Sequence, residues 1–136
     1  MYLYHLTDEE NLASICEHGL SPDFSREPTF RARAIYFACD TSHSLGYENH
    51  HDAWKGRGVL LRVSLTHLDP QSLLPDDVDL PDLDENWAVL SYSESLTVSG
   101  QCRYVSEIPA SLIQVSEDRG ASWRDLGDDH TSCMKL

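Results

Sequence analysis

Apolar and aromatic positions dominate the first six residues, helical spacing follows within the next ten, and short apolar runs return later. Residues 1–6 read as a buried strand, with Tyr2, Leu3, Tyr4 and Leu6 supplying strand-forming surfaces. Thr7-Asp8-Glu9-Glu10 fits a capping box, with Thr7 at the N-cap and Glu10 three residues on. Leu12, Ile15, Cys16 and Leu20 continue as an apolar stripe at helical spacing, stopped by Gly19. Residues 21–33 hold two prolines and no periodicity, which predicts a long surface loop. The apolar run 34–39 predicts a short buried strand, and Leu45, Tyr47 and Trp54 suggest a helix over 42–54 that Gly46 weakens.

Residues 59–65 form the strongest strand pattern in the chain. Between 69 and 86 lie three prolines and the acidic residues Asp76, Asp77, Asp79, Asp82, Asp84 and Glu85, a composition that predicts a solvated loop with at most a short helical turn. Leu96-Thr97-Val98 and Cys102-Arg103-Tyr104-Val105 read as a hairpin turning at Ser99-Gly100. Residues 110–115 end as a strand, and 117–136 read as a polar C-terminal tail onto which Trp123 can pack back. Strand, helix, strand, helix and a cluster of short strands predict an α+β fold. The expected sheet is twisted and mostly antiparallel, with helices to one side, in a single domain over 1–136.

Length and charge narrow the function classes. A chain of 136 residues supports one domain with a true core. A formal net charge of −13 repels nucleic acid phosphates unless a local basic patch overrides it. Arg26, Arg31 and Arg33 form one such cluster, Lys55 and Arg57 a smaller one, and neither is interleaved with aromatics as a single-strand platform requires. With no long apolar run and no leader, the expected location is cytoplasmic, although an effector exported without a signal peptide would look the same. Cys16, Cys39, Cys102 and Cys133 show no C-x-x-C pairing, so buried free thiols are the expectation.

Familiar site chemistries are missing from the pattern. His43, His50, His51 and His67 crowd one region without metal-ligand spacing, so no metal site is expected. Asp77-Val78-Asp79 lacks the glycine and glutamate of a calcium loop. There is no nucleophile elbow, Walker loop or dinucleotide fingerprint. His5 stands at the end of the first strand beside the turn into a helix, where clefts usually form; position alone favours a structural histidine. Tyr36 in the second strand and Glu94 before a later one complete a triple. Each is ordinary alone, as a core aromatic and a surface carboxylate.

Taken together, these segments resemble the ADP-ribosyltransferase superfamily. Tyr4-His5-Leu6-Thr7, followed by a helix ending in Glu17-His18-Gly19-Leu20, looks like the family's first motif. Ala34-Ile35-Tyr36-Phe37-Ala38 looks like the second, and Tyr92-Ser93-Glu94-Ser95-Leu96-Thr97-Val98 like the third, with 104–113 similar to the closing strand. The small bacterial members, rifamycin-modifying transferases and nucleic-acid-modifying toxins, are the nearest in character. The resemblance implies a glycosyltransferase-type enzyme that uses NAD as co-substrate and transfers a single ADP-ribose to an unidentified acceptor (protein, nucleic acid or small molecule). It implies that Glu94 stabilises the charge developing on the ribose. By the same resemblance His5 bonds the adenosine-side ribose, Tyr36 stacks on nicotinamide, and Thr7 orients the strand end. Arg31 or Arg33 would meet the pyrophosphate.

The carboxylate could instead be Glu107 or an aspartate of the acidic segment. An RNA 2′-phosphotransferase-like enzyme is the alternative within the fold, although Tyr36 stands where that branch has histidine. Outside enzymes, a non-catalytic acidic protein that binds or inhibits a basic partner fits the charge, and an antitoxin or other protein partner is compatible with the toxin-like members.

Overall fold

Among the residues described in the computed structural model (1–24, 33–42 and 58–126), seven strands form one sheet. They are β1 (Tyr2–Asp8), β2 (Ile35–Ala38), β3 (Gly58–Ser64), β4 (Leu73–Pro75), β5 (Gln101–Tyr104), β6 (Ile113–Ser116) and β7 (Arg124–Asp125). Their spatial order is β4-β5-β2-β1-β3-β6-β7, and every pairing is antiparallel. The helices are short: α1 (Leu12–His18), α2 (Leu80–Leu83) and α3 (Tyr92–Val98), with single 3-10 turns between elements. The fold is α+β: α1 lies in the connection from β1 to β2 and α2 and α3 in that from β4 to β5, and both of those strand pairs are antiparallel neighbours.

Side-chain alternation gives the sheet two unlike faces. Leu3, Val59, Leu61, Val63, Ile35, Phe37, Cys102, Tyr104, Ile113 and Val115 share the core face, where Leu12, Ile15 and Leu20 from α1 and its exit cover them, joined by Leu96 of α3. The opposite face carries Tyr4, Arg62 and Gln114, aligned across β1, β3 and β6, with Tyr36 and Arg103 aligned across β2 and β5. Arg62 lies between the rings of Tyr2 and Trp123, at 4.0 and 4.4 Å from their centroids, and its Nε donates to Gln114. Trp123 therefore packs back on the sheet, and β7 pairs within the segment that reads as a polar tail.

Several local expectations change. Asp8, not Thr7, is the N-cap: its carboxylate accepts the Glu10 N–H and opens a 3-10 turn (Glu9–Asn11) ahead of α1. Thr7 is still part of β1, so its hydroxyl faces the core side and accepts from the Asn11 amide instead. The expected hairpin at 96–105 is a helix followed by a strand. Ser91 and Glu94 make a complete capping box, and Tyr92, Ser95 and Leu96 lie on the packed side. Helical spacing of Tyr92 and Leu96 outweighs the strand preference of Thr97-Val98.

The acidic segment is not solvated throughout: it contains β4, and Asp76 and Asp77 are buried. Cys39 and Cys102 are not in disulfides, whereas Cys16 is disulfide-bonded and departs from the expectation of free thiols. The expected helix over 42–54, Arg26, Arg31, Lys55, Arg57, His43, His50, His51 and Cys133 fall wholly or almost wholly outside the described residues.

One glycine is required by geometry. Gly19 ends α1 at φ 73 and ψ −164, a region that L side chains avoid. Its neighbour Leu20 exchanges two backbone hydrogen bonds with Ile108, each 2.9 Å, and that contact brings the two segments close. A Cβ on Gly19 would meet the Ile108 carbonyl oxygen at 2.1 Å, a backbone atom that cannot swing aside. Gly19→Ala is therefore expected to destabilise the fold by roughly 2–3 kcal/mol from the φ/ψ penalty alone, read as a lowered midpoint in urea. A change within 0.5 kcal/mol would show that the bridge between residues 20 and 108 is dispensable.

Candidate functional site

His5 sits where β1 and β2 meet only briefly. Tyr4 and Ala38 are the one Cα pair between these strands, while β1 and β3 continue through seven. Beyond Tyr4 the His5 ring reaches the opposite strand itself: Nδ1 lies 2.8 Å from the Tyr36 carbonyl oxygen. A carbonyl only accepts, so Nδ1 donates, and in the neutral ring Nε2 is left as an acceptor. Nε2 has no protein partner among the described residues. The ring meets Phe37 edge-on, with centroids 6.0 Å apart. His5 keeps some exposed surface, yet enough protein surrounds it that burial lowers its pKa below the usual imidazole value. The bond to Tyr36 opposes this only in part. The result is a neutral imidazole in a fixed tautomer, held by β2 and presenting one lone pair.

Tyr36 takes part twice. Its carbonyl receives His5, but its side chain, one position from Phe37 on the strand, points to the other face. There its hydroxyl donates to Asp77 Oδ1 at 2.8 Å, in a buried contact. Arg103, directly opposite Tyr36 across β2 and β5, places Nη1 3.6 Å from Asp77 Oδ2 and donates from Nε to the Pro75 carbonyl at 2.6 Å. The turn presenting Asp77 is fixed from inside. Asp76, fully buried, accepts the N–H groups of Val78, Asp79 and Leu80, and its own N–H donates to Ser95 Oγ. Ser95 in turn donates to the Gln101 carbonyl, tying α3 and β5 to the same turn.

The remaining residues of the expected constellation are placed elsewhere. Glu94 is exposed at the first turn of α3, where its Oε1 accepts the Ser91 N–H at 3.0 Å. No hydrogen bond or ion pair among the described residues joins it to His5 or Tyr36. Glu107 is also exposed. Arg33 is exposed and paired with Asp23 at 3.7 Å, and Arg31 lies outside the described residues. Thr7 shares the face of His5, two positions along β1. The fold thus brings together His5 and the Tyr36 main chain, and adds Asp77, one of the acidic-segment aspartates kept as an alternative carboxylate, and Arg103, which sequence reasoning did not single out. The available signal was the alternation in Gln101-Cys102-Arg103-Tyr104, which sets Arg103 and the buried Cys102 on opposite faces.

Among the described residues, the Cys39 and Cys102 thiols are not poised as nucleophiles. Burial pushes Cys102 up to about 12 and raises Cys39 as well, with Asp40 beside it. Among the described residues no group of three His, Cys, Asp or Glu side chains is placed to hold a metal ion. No helix among them is long and apolar enough to cross a membrane.

The family profile of the poly(ADP-ribose) polymerase catalytic domain matches residues 1–108, which contain His5, Tyr36, Asp77, Glu94 and Arg103. No curated protein and no solved structure gives a significant match to the chain.

Proposed function

The chain belongs to the poly(ADP-ribose) polymerase catalytic domain family, within the ADP-ribosyltransferase superfamily, and from that premise we propose that it is an NAD-dependent mono-ADP-ribosyltransferase. The observation that carries the reading is the His5 imidazole: neutral, bonded through Nδ1 to β2, and with no partner at Nε2 among the described residues. The residues present suit NAD as co-substrate. A ribose hydroxyl needs an acceptor, which Nε2 offers.

Bound NAD supplies an ADP-ribosyl group whose bond to nicotinamide breaks as positive charge develops on the ribose. His5 accepts a ribose hydroxyl proton in a hydrogen bond without itself becoming charged, so it orients the sugar and adds no opposing charge. By the family resemblance Tyr36 stacks on nicotinamide, a role that requires its ring, buried on the sheet face opposite His5 here, to become reachable. Glu94 is proposed as the carboxylate on the strength of its sequence neighbourhood, with Thr7 supporting the strand end and Arg33 the pyrophosphate. The acceptor is a nucleophile on a protein, nucleic acid or small molecule, and the enzyme acts in the cytoplasm or as an exported effector.

The test is release of nicotinamide from NAD by the purified chain, followed with Glu94→Gln beside it. Glutamine keeps an oxygen for the Ser91 N–H and deletes the charge, so α3 stays capped. Wild type is expected to release nicotinamide and the variant to slow by roughly 100-fold, the size of effect seen on losing one transition-state electrostatic contact. No release by the wild-type chain removes the enzyme reading and leaves an acidic binding protein. Full activity in Glu94→Gln moves the carboxylate role away from that residue, with Glu107→Gln the next variant.

A further inference from the structure

Arg62 is a cation that the fold fixes without neutralising. Its guanidinium lies between two rings, 4.0 Å from the centroid of Tyr2 and 4.4 Å from that of Trp123. Tyr4 stands opposite it across the β1–β3 ladder, with its ring 5.9 Å from Trp123. Nε donates to Gln114 Oε1 at 2.7 Å, and the Gln114 amide donates in turn to Asp125 at 2.9 Å, so a neutral group stands between the guanidinium and that carboxylate. No ion pair or further hydrogen bond among the described residues takes up the Arg62 Nη groups, the hydroxyls of Tyr2 and Tyr4 or the indole N–H of Trp123. In a chain with 23 acidic residues and a net charge of −13, an arginine left unpaired beside so many unused donors calls for a reason beyond packing. Filling the gap between two rings needs neither charge nor donors; a methionine would do it.

We propose that this face of the sheet is a binding site for the phosphate of a nucleotide, with Arg62 as its anchor. An arginine stacked between rings loses water from both faces of its plane and keeps its in-plane N–H groups for a ligand, and its fork matches phosphate oxygens two at a time. Holding Nε on Gln114 beforehand lowers the ordering cost of binding. Tyr2 is 38% exposed, which leaves aromatic surface beside the fork for a base. Basic and aromatic side chains interleaved in this way form the platform that single-stranded nucleic acid uses. The basic clusters legible in the sequence lack that interleaving, whereas strand pairing assembles it around Arg62. The acidic field of the chain opposes a long run of phosphates, so the site suits one: a free mononucleotide or the phosphorylated end of a strand. It lies on the sheet face opposite His5 and does not depend on the NAD reading.

The experiment follows the Trp123 indole N–H resonance, identified by its absence from Trp123→Phe, while the full chain is titrated at constant ionic strength with inorganic phosphate, AMP and adenosine. A saturable shift is expected with phosphate, the same shift at roughly 10-fold lower concentration with AMP, and none with adenosine. A nucleotide held only at His5, on the other face, leaves this resonance where it is. Arg62→Met still fills the gap between the rings and is expected to abolish the shift. Arg62→Lys keeps the charge but not the fork, is expected to weaken binding by about 10-fold, and decides the matter if the methionine variant does not fold. No saturable shift in wild type, or full affinity in Arg62→Lys, overturns the site. Equal affinity for AMP and phosphate, or tighter binding of a phosphoserine peptide than of AMP, overturns the nucleotide assignment. A short 5′-phosphorylated single strand titrated beside AMP separates the two sources, the tighter binder naming the ligand.

Discussion

Replacing Arg103 with alanine is expected to cost about 3–5 kcal/mol of stability, the range for removing one partner of a buried ion pair. The reason is what it leaves behind. Asp77 is 7% exposed at its side chain and Arg103 14%, so the carboxylate would lose the cation paired with it among the described residues and gain little water in exchange. Arg103 also donates to the Pro75 carbonyl, and β4 pairs with β5 through Leu74 opposite Arg103. The same substitution therefore weakens the edge strand and the turn after it. Urea unfolding of Arg103→Ala measures the effect, and adding Asp77→Asn to Arg103→Ala should recover part of it by deleting the stranded charge. A loss below about 1 kcal/mol would mean the pair behaves as a solvated surface contact, and the tie on Tyr36 would be weaker than its distances indicate.

His5→Asn is expected to separate the two jobs of the imidazole. An asparagine amide nitrogen can stand near the position of Nδ1 and keep the bond to the Tyr36 carbonyl, but nothing replaces Nε2. Stability should change little, while the KM for NAD rises by roughly 10-fold or more, the worth of one hydrogen bond made in a desolvated site. Equal loss in both would assign His5 a structural role only. The pH dependence carries the same argument with a definite sign. Burial holds the pKa of His5 below 6.5 in the folded chain. Nicotinamide release that depends on a neutral His5 should therefore stay level as pH falls to 6.5 and decline only below it.

The contribution to stability follows the same direction. The unfolded histidine takes up a proton first, so the stabilisation present above the unfolded pKa is lost as pH falls toward the folded one. A decline in release centred well above 6.5 would contradict a buried neutral ring.

How far the sequence reached differs from residue to residue. His5 and Tyr36 were legible because each lies in a strand whose apolar neighbours could only face a core, and because the first strand runs directly into a helix. Glu94 was misread locally. Ser91-Tyr92-Ser93-Glu94 is a helix-opening pattern of the same kind that was read at Thr7, but the β-branched pair after it suggested a strand. At the first site the pattern is displaced by one residue, since Asp8 takes the cap while Thr7 is committed to the β1–β3 ladder. The run of aspartates reads as solvated because carboxylates are seldom buried. Here one is buried by three backbone donors and the next by a tyrosine and an arginine distant in sequence.

The sequence by itself determined the α+β class, the strands that carry His5 and Tyr36, the stop at Gly19 and the likeness to ADP-ribosyltransferases, because these depend on periodicity, on one residue's allowed backbone angles and on short contiguous motifs. Only the tertiary structure decided the His5 tautomer, the opposite facing of the His5 and Tyr36 side chains, and the pairing of Tyr36 with Asp77 and Arg103. Those outcomes come from β2 lying between β1 and β5, which brings residues 5, 36, 77 and 103 within hydrogen-bond or ion-pair reach of one another in sequence. Contacts between residues so far apart along the chain are set by strand order and register, and no local pattern encodes them.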